Sequence, residues 1–219
     1  MQRKLLVFGA NGQVGREIAS RARGLAVAFD RASVDICVEE AVRQAVRDHP
    51  PAAIVNAAAY TSVDKAESEP DEARRVNRDG AAVLAQAAAS AGVPFVHLST
   101  DYVFDGTKRT SYREDDPIAP LGAYGISKAE GEHAVKTICP RHVILRTAWV
   151  YSPYGTNFVG TMLRLAADRP ELRIVDDQTG CPTAAADVAD TIIAILAKAN
   201  QPGFTAWGTY HYRGADIVT

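Results

Sequence analysis

Disulfide frameworks and zinc centres have nothing to build on in this chain. Its three cysteines, Cys37, Cys139 and Cys181, are odd in number and lie far apart without metal-ligand spacing. That pattern favours a reducing compartment, so a cytoplasmic location and no bound metal are expected. No stretch reaches the roughly 18 uninterrupted apolar residues of a membrane span. The opening apolar run, Leu5–Phe8, leads straight into Gly9 and is too short for the core of a signal peptide. No membrane partner is expected. Neither sign of charge dominates: 24 Lys and Arg are interspersed with 26 Asp and Glu, for a formal net charge of -2. Nucleic-acid binders cluster basic residues on one face, and nothing here suggests such a cluster, so nucleic acid is excluded as a partner. Repeats, low-complexity tracts and Ser/Gly linkers are missing as well.

What is present suits an ordinary globular protein. With 219 residues, 47% of them apolar, the chain can bury a sizeable core as one large or two small domains. Short apolar runs at Leu5–Phe8, Ala26–Phe29, Ala53–Val55, Phe95–Leu98, Val143–Leu145 and Arg173–Val175 read as buried parallel strands. The segments Val14–Arg23, Val38–Asp48, Glu67–Ala91, Ser127–Ile138 and Phe158–Ala167 are rich in Ala, Glu, Arg and Leu and read as crossover helices. This alternation predicts an α/β fold, a doubly wound parallel sheet of the Rossmann type with right-handed crossovers. Residues 1–150 are expected to form the dinucleotide-binding domain, with 151–219 contributing substrate-lobe elements interleaved with it. Two long stretches without periodicity, Asp101–Gly122 and Ala148–Thr156, follow predicted strands. Ligands of open α/β sheets bind beyond the carboxyl ends of strands, which puts both loops on the binding side.

The glycine pattern Gly9-Ala-Asn-Gly12-Gln-Val-Gly15 falls between the first strand and the first helix. There Gly9 permits a tight turn, Gly12 lets the backbone approach a phosphate, and Gly15 allows close helix packing. A turn shaped for its own sake is the competing explanation. Asp30, about 20 residues on at the end of the second strand, can accept hydrogen bonds from the adenosine ribose and favours NAD. Arg31 follows it and can pair with the 2′-phosphate of NADP. Asp35 and Ile36 can flank the adenine, although Asp35 can equally cap the next helix.

Tyr124-Gly-Ile-Ser-Lys128 is an i,i+4 pair that puts a phenol and an ammonium on one helix face. A free phenol titrates near pH 10, and a neighbouring cation lowers that value, so Tyr124 is expected to act as general acid for carbonyl reduction. Lys128 is expected both to tune Tyr124 and to bind the nicotinamide ribose. Thr100, at the end of the fourth strand, offers a hydroxyl to orient the substrate oxygen. Its competing role is strand-end capping, which Ser99 can fill equally well.

These motifs recur with narrower ones. Asn56-Ala-Ala-Ala-Tyr-Thr61, Val63-Asp-Lys-Ala-Glu67, Ser99-Thr-Asp-Tyr-Val-Phe-Asp-Gly106, Arg146-Thr-Ala-Trp-Val-Tyr151 and Asp177-Gln-Thr-Gly-Cys-Pro-Thr183 stand in the order of the dTDP-4-dehydrorhamnose reductases, extended short-chain dehydrogenases. The chain resembles that family over essentially its whole length. The resemblance implies a catalytic trio of Thr100, Tyr124 and Lys128 and hydride from NADPH, with NADH as the alternative, to C4 of a 4-keto sugar nucleotide. It implies cofactor contacts from Gly12, Gln13, Val14, Ala59, Tyr60, Thr61 and Leu98, and substrate contacts from Val63, Thr100, Asp101, Tyr102 and Trp149. It is compatible with a homodimer. Family members continue past the position of Thr219, which implies an incomplete C-terminal substrate lobe. Two other readings share the fold: a nucleotide-sugar epimerase or dehydratase, and a non-catalytic subunit that keeps the fold to bind a partner enzyme. Tyr102 stands where dehydratases usually place Glu, and the intact trio distinguishes the chain from subunits that lose catalytic positions.

Overall fold

The computed structural model describes residues 3–219. In chain order the elements are β1 (Lys4–Phe8), α1 (Gln13–Arg21), β2 (Ala26–Phe29), α2 (Glu39–Asp48), β3 (Pro51–Asn56), α3 (Val63–Ser68) and α4 (Pro70–Arg74). A π-helical turn (Arg75–Gly80) then leads into α5 (Ala81–Ala91), β4 (Phe95–Thr100), a 3-10 turn (Asp101–Val103), α6 (Ala123–Ile138) and β5 (His142–Thr147). The chain continues through β6 (Val150–Tyr151), α7 (Phe158–Asp168), β7 (Thr183–Ala184), α8 (Ala185–Ala199) and β8 (Gly208–His211). Six strands form one parallel sheet in the order β2-β1-β3-β4-β5-β8, and β6 pairs with β7 in a small second sheet.

Strand periodicity divides the core between the two faces of the sheet. Leu6 and Phe8 of β1 point into one cluster with Val42, Leu84, Ala88, Phe95 and Ile144. Val7 points the other way, toward Val14, Ile18, Val188 and Ile192. Successive side chains of a strand alternate between faces, so a strand sandwiched by helices must be apolar throughout, as β1 is. The chain leaves β1 for β2 on one side and reaches β3 on the other. That reversal opens a crevice at the carboxyl ends of β1 and β3, the usual place for a dinucleotide.

Three expectations need correction. The helix expected over Glu67–Ala91 is interrupted at Glu69, because Pro70 suits only a first helical turn and starts α4 there. Arg173–Val175 forms no strand: it finds no neighbour to pair with, and Ile174 and Val175 stay exposed. Helix α8 went unread, yet it supplies Val188, Ala189, Ile192 and Leu196 to the second core, so residues after 150 return to the main sheet. Strand β8 follows it there and extends the sheet beside β5.

Candidate active site

The glycine loop is shaped by what surrounds it. Gly9 has φ +97, and a Cβ there would come within 2.5 Å of the Ala57 carbonyl carbon and the Ala58 nitrogen. A Cβ on Gly15 would overlap the Gly9 carbonyl. Only glycine lets the loop, α1 and the segment after β3 close together. Gly12 caps α1 without any side-chain hydrogen bond. The first-turn amides of that helix therefore face the crevice with the positive end of the helix dipole behind them. This cradle fits a pyrophosphate. Ala58 N is held by Asn56 Oδ1 at 3.0 Å and Tyr60 N by Asn77 Oδ1 at 2.9 Å. Ala59 and Thr61 thus lie on a backbone pinned across the crevice from the glycines.

At the adenosine end Asp30 closes a turn by accepting from Ser33 N and Oγ at 2.9 and 2.8 Å. Its other oxygen accepts from Asn11 Nδ2 at 2.9 Å. These bonds, led by the one from Ser33, hold its carboxyl below the usual range. Asp35 does not cap α2, which begins at Glu39; it accepts from Cys37 N at 2.9 Å in an Asx turn. Ile36 is a core side chain, packed where a Cβ on Gly80 would meet its Cδ1 at 2.6 Å. Gln13 points sideways: its amide oxygen accepts from Ser152 Oγ at 2.9 Å and Asn157 Nδ2 at 3.1 Å, latching the loop after β6 to α1. The Tyr60 hydroxyl donates to Glu69 Oε2 at 2.9 Å.

Strand β4 carries the reactive end. Thr100 and Tyr102 are linked by a 3.2 Å bond from Tyr102 N to the Thr100 hydroxyl, which also donates to Asp101 Oδ1 at 3.0 Å. Ser99, on the opposite pleat, donates to Glu132 Oε1 at 2.6 Å behind the sheet. The two hydroxyls are not interchangeable: Ser99 is committed to Glu132, whereas the Thr100 hydroxyl bonds with Tyr124. Tyr102 meets the Tyr124 ring edge-on, centroids 5.5 Å apart. Tyr60 and Val63 pack against Tyr124 as well. The phenol is buried, and burial pushes its pKa up to about 12, against a pull downward from the Thr100 hydroxyl. The expected lowering by Lys128 is not what the geometry provides, because the Lys128 ammonium donates to the Leu98 carbonyl at 2.6 Å. Burial brings Lys128 down to about 8, with Glu132 pulling it back up. Asp101 is raised by loss of hydration at its carboxyl, opposed by its bond from Thr100.

Trp149 lies two residues beyond Thr147, the partner of Thr100 in the β4–β5 register. Its backbone has φ 48, a strained value for a bulky residue. It is held there by the bond from Thr183 N to its carbonyl at 3.1 Å and by close packing of its ring on Gly180, where a Cβ would overlap the indole. The ring stays 38% exposed, a plate at the rim beside the strand ends.

Motif reading missed the wall behind this site. Glu132, one turn past Lys128, accepts from Arg146 Nε and an Nη at 2.8 Å each. Arg146 also lies over the Phe104 ring at 5.0 Å and reaches His211 Nε2 at 3.3 Å. The available signal was an acid at i+4 from Lys128 and a basic residue inside an apolar strand. Asn56 and His97 form a second buried pair, Nδ2 to Nδ1 at 3.1 Å.

Residues 3–219 match the family described as the RmlD substrate binding domain. A dTDP-4-dehydrorhamnose reductase of Sinorhizobium fredii is 47% identical over 215 residues, 97% of this chain and 73% of that protein. The Escherichia coli K12 protein of the same name is 45% identical over 222 residues, 98% of this chain and 74% of its own. The crystal structure of a Bacillus anthracis dTDP-4-dehydrorhamnose reductase in complex with NADP superposes with a TM-score of 0.94 at 37% identity, covering 100% of this chain and 77% of that one. Likeness of this extent, over the sheet, the glycine cradle and the Tyr124–Lys128 helix together, shows that the chain belongs to the dTDP-4-dehydrorhamnose reductase family.

Proposed function

We propose that the chain reduces the C4 keto group of dTDP-4-dehydro-6-deoxy-L-mannose to dTDP-L-rhamnose, a precursor for cell-surface polysaccharide, in the cytoplasm. The observation that carries this reading is the meeting of Tyr124, Thr100 and the Lys128 helix at the end of β4, beside a glycine cradle built for a pyrophosphate. NADPH, or NADH in its place, supplies the hydride to C4 when bound. Gly9, Gly12, Val14 and Gly15 would hold its pyrophosphate, Asp30 and Arg31 its adenosine ribose, and Lys128 its nicotinamide ribose.

Tyr124 donates the proton to the C4 oxygen. A phenol held near pKa 12 is fully protonated at neutral pH, the state a donor must be in. Thr100 orients the carbonyl oxygen, its one hydroxyl proton turning from Asp101 to the substrate. Asp101 and Tyr102 hydrogen-bond sugar hydroxyls, and Val63 and Trp149 supply apolar contact for the deoxy-sugar ring. A site whose polar groups pair with substrate hydroxyls rejects ligands that would leave them unpaired. Simple ketones are therefore poor substrates.

NADPH consumption with the sugar nucleotide, against acetoacetyl or steroid ketones, tests the assignment. Tyr124→Phe retains cofactor binding and lowers turnover by roughly 10²–10⁴-fold, the range for loss of a general acid. Unchanged turnover would remove Tyr124 from the chemistry, and preference for small ketones would remove the sugar nucleotide.

A further inference from the structure

Five charged side chains crowd the adenosine corner of the crevice. Arg31, whose side chain is 71% exposed, lies 3.4 Å from Glu72 and 3.8 Å from Asp35. Glu72, on α4, also grips Arg75 through two bonds, 2.7 Å to Nε and 2.8 Å to an Nη. Arg75 in turn lies 3.6 Å from Asp35. Asp30, immediately before Arg31, completes the group. Three carboxylates against two guanidinium groups leave this corner with formal charge -1. The bond from Arg75 holds the Glu72 carboxyl below its usual range, so it is ionised at neutral pH.

A ribose hydroxyl and a 2′-phosphate make different demands here. The hydroxyl needs only an acceptor such as Asp30. The phosphate brings close to two negative charges and needs a free guanidinium. Arg31 already has a competing anion: Glu72 lies 3.4 Å from one of its Nη atoms. We propose that Glu72 sets the balance between NADPH and NADH by occupying the Arg31 guanidinium that a 2′-phosphate would otherwise engage. The inference rests on the cofactor reading above. Glu72 belongs to a helix remote in sequence from the segment after β2, so no motif points to it.

The Glu72→Gln variant tests this, because its side-chain oxygen can still accept from Arg75 while one negative charge is gone. Calorimetric titration of the whole protein with NADPH and NADH, without substrate, gives the readout. The NADPH:NADH affinity ratio is expected to rise about fivefold, the scale of one exposed ion pair. The rise is expected to shrink at 0.5 M salt and to vanish in the Arg31→Ala, Glu72→Gln double variant. An unchanged ratio, or a rise that persists without Arg31, would overturn the role given to Glu72. Failure of the unaltered chain to bind either dinucleotide would instead overturn the cofactor reading, and this inference with it.

Discussion

Behind Tyr124, Glu132 and Arg146 are almost wholly inaccessible to solvent, and each of the Glu132 oxygens has a donor within 2.8 Å. In α7, across the loop that Gln13 latches, none of the 11 residues is buried. Each region contains a helix that comes after a strand in the chain, α6 after β4 and α7 after β6. The first is fixed by tertiary partners from β4, β5 and α6. The second is fixed by local rules: the Asn157 side chain accepts from Gly160 N at 2.9 Å, an N-cap, and an apolar stripe follows at helical spacing. The proposed chemistry needs hydroxyl, phenol and ammonium held to fractions of an ångström, which matches the first kind of construction.

The largest effect should come from breaking the buried pair. Glu132→Ala leaves the Arg146 guanidinium inside with no carboxylate, a change that costs about 3–5 kcal/mol. Urea unfolding measures it. A loss under about 1 kcal/mol would mean that water reaches Arg146 and that the wall is no more determined than α7.

Lys128 sharpens the same contrast through pH. Its folded-state pKa of about 8 lies below the unperturbed 10.5, so between those values the folded chain binds fewer protons than the unfolded one. Its contribution to stability is therefore complete above about pH 10.5 and is lost as pH falls through 8. The groups facing it are the Leu98 carbonyl, Glu132 on its own helix and the buried, neutral His97 on β4. Between pH 7.5 and 10, the unaltered chain should gain roughly 2.4 kcal/mol relative to Lys128→Met, while other titrations cancel between the two. Parallel stability curves would show an ammonium that is hydrated in the folded state.

The same contrast explains what could be read from the sequence. The strands around the site were legible because a parallel strand buried on both faces is a continuous apolar run, as in Leu5–Phe8 and Val143–Leu145. Tyr124, Lys128, Thr100 and the glycines stand out as candidates because their spacing is one that chemistry uses. Arg173–Val175 has the composition of a strand, but pairing is decided by a neighbour, and none lies beside it. The break at Glu69 is marked by Pro70, which stands among good helix formers. Helix α8 carries a clear stripe at Ala185, Val188, Ala189, Ile192 and Leu196, a helical period visible in the residues alone. The Glu132–Arg146 pair and the cluster around Glu72 join distant segments, which no local pattern can announce. The direction of the Lys128 ammonium likewise depends on the Leu98 carbonyl, a backbone group invisible in the residue letters.

The smallest effect belongs to the exposed helix. Leu163 sits on the apolar stripe of α7, yet its side chain is 70% exposed, so little hydrophobic free energy is tied to it. Leu163→Ser replaces a good helix former with one only a few tenths of a kcal/mol poorer and forfeits little buried area. Stability should change by less than about 0.5 kcal/mol, the usual range for a surface substitution. Ile192→Ala in α8, where the side chain is fully buried, should lose about 2–5 kcal/mol in the same measurement. The pair of variants separates burial from helix propensity, because propensity falls in Leu163→Ser and rises in Ile192→Ala, the opposite order to the expected losses. If Leu163→Ser cost as much as Ile192→Ala, the apolar stripe of α7 would be covered in solution, and the two regions would be built alike after all.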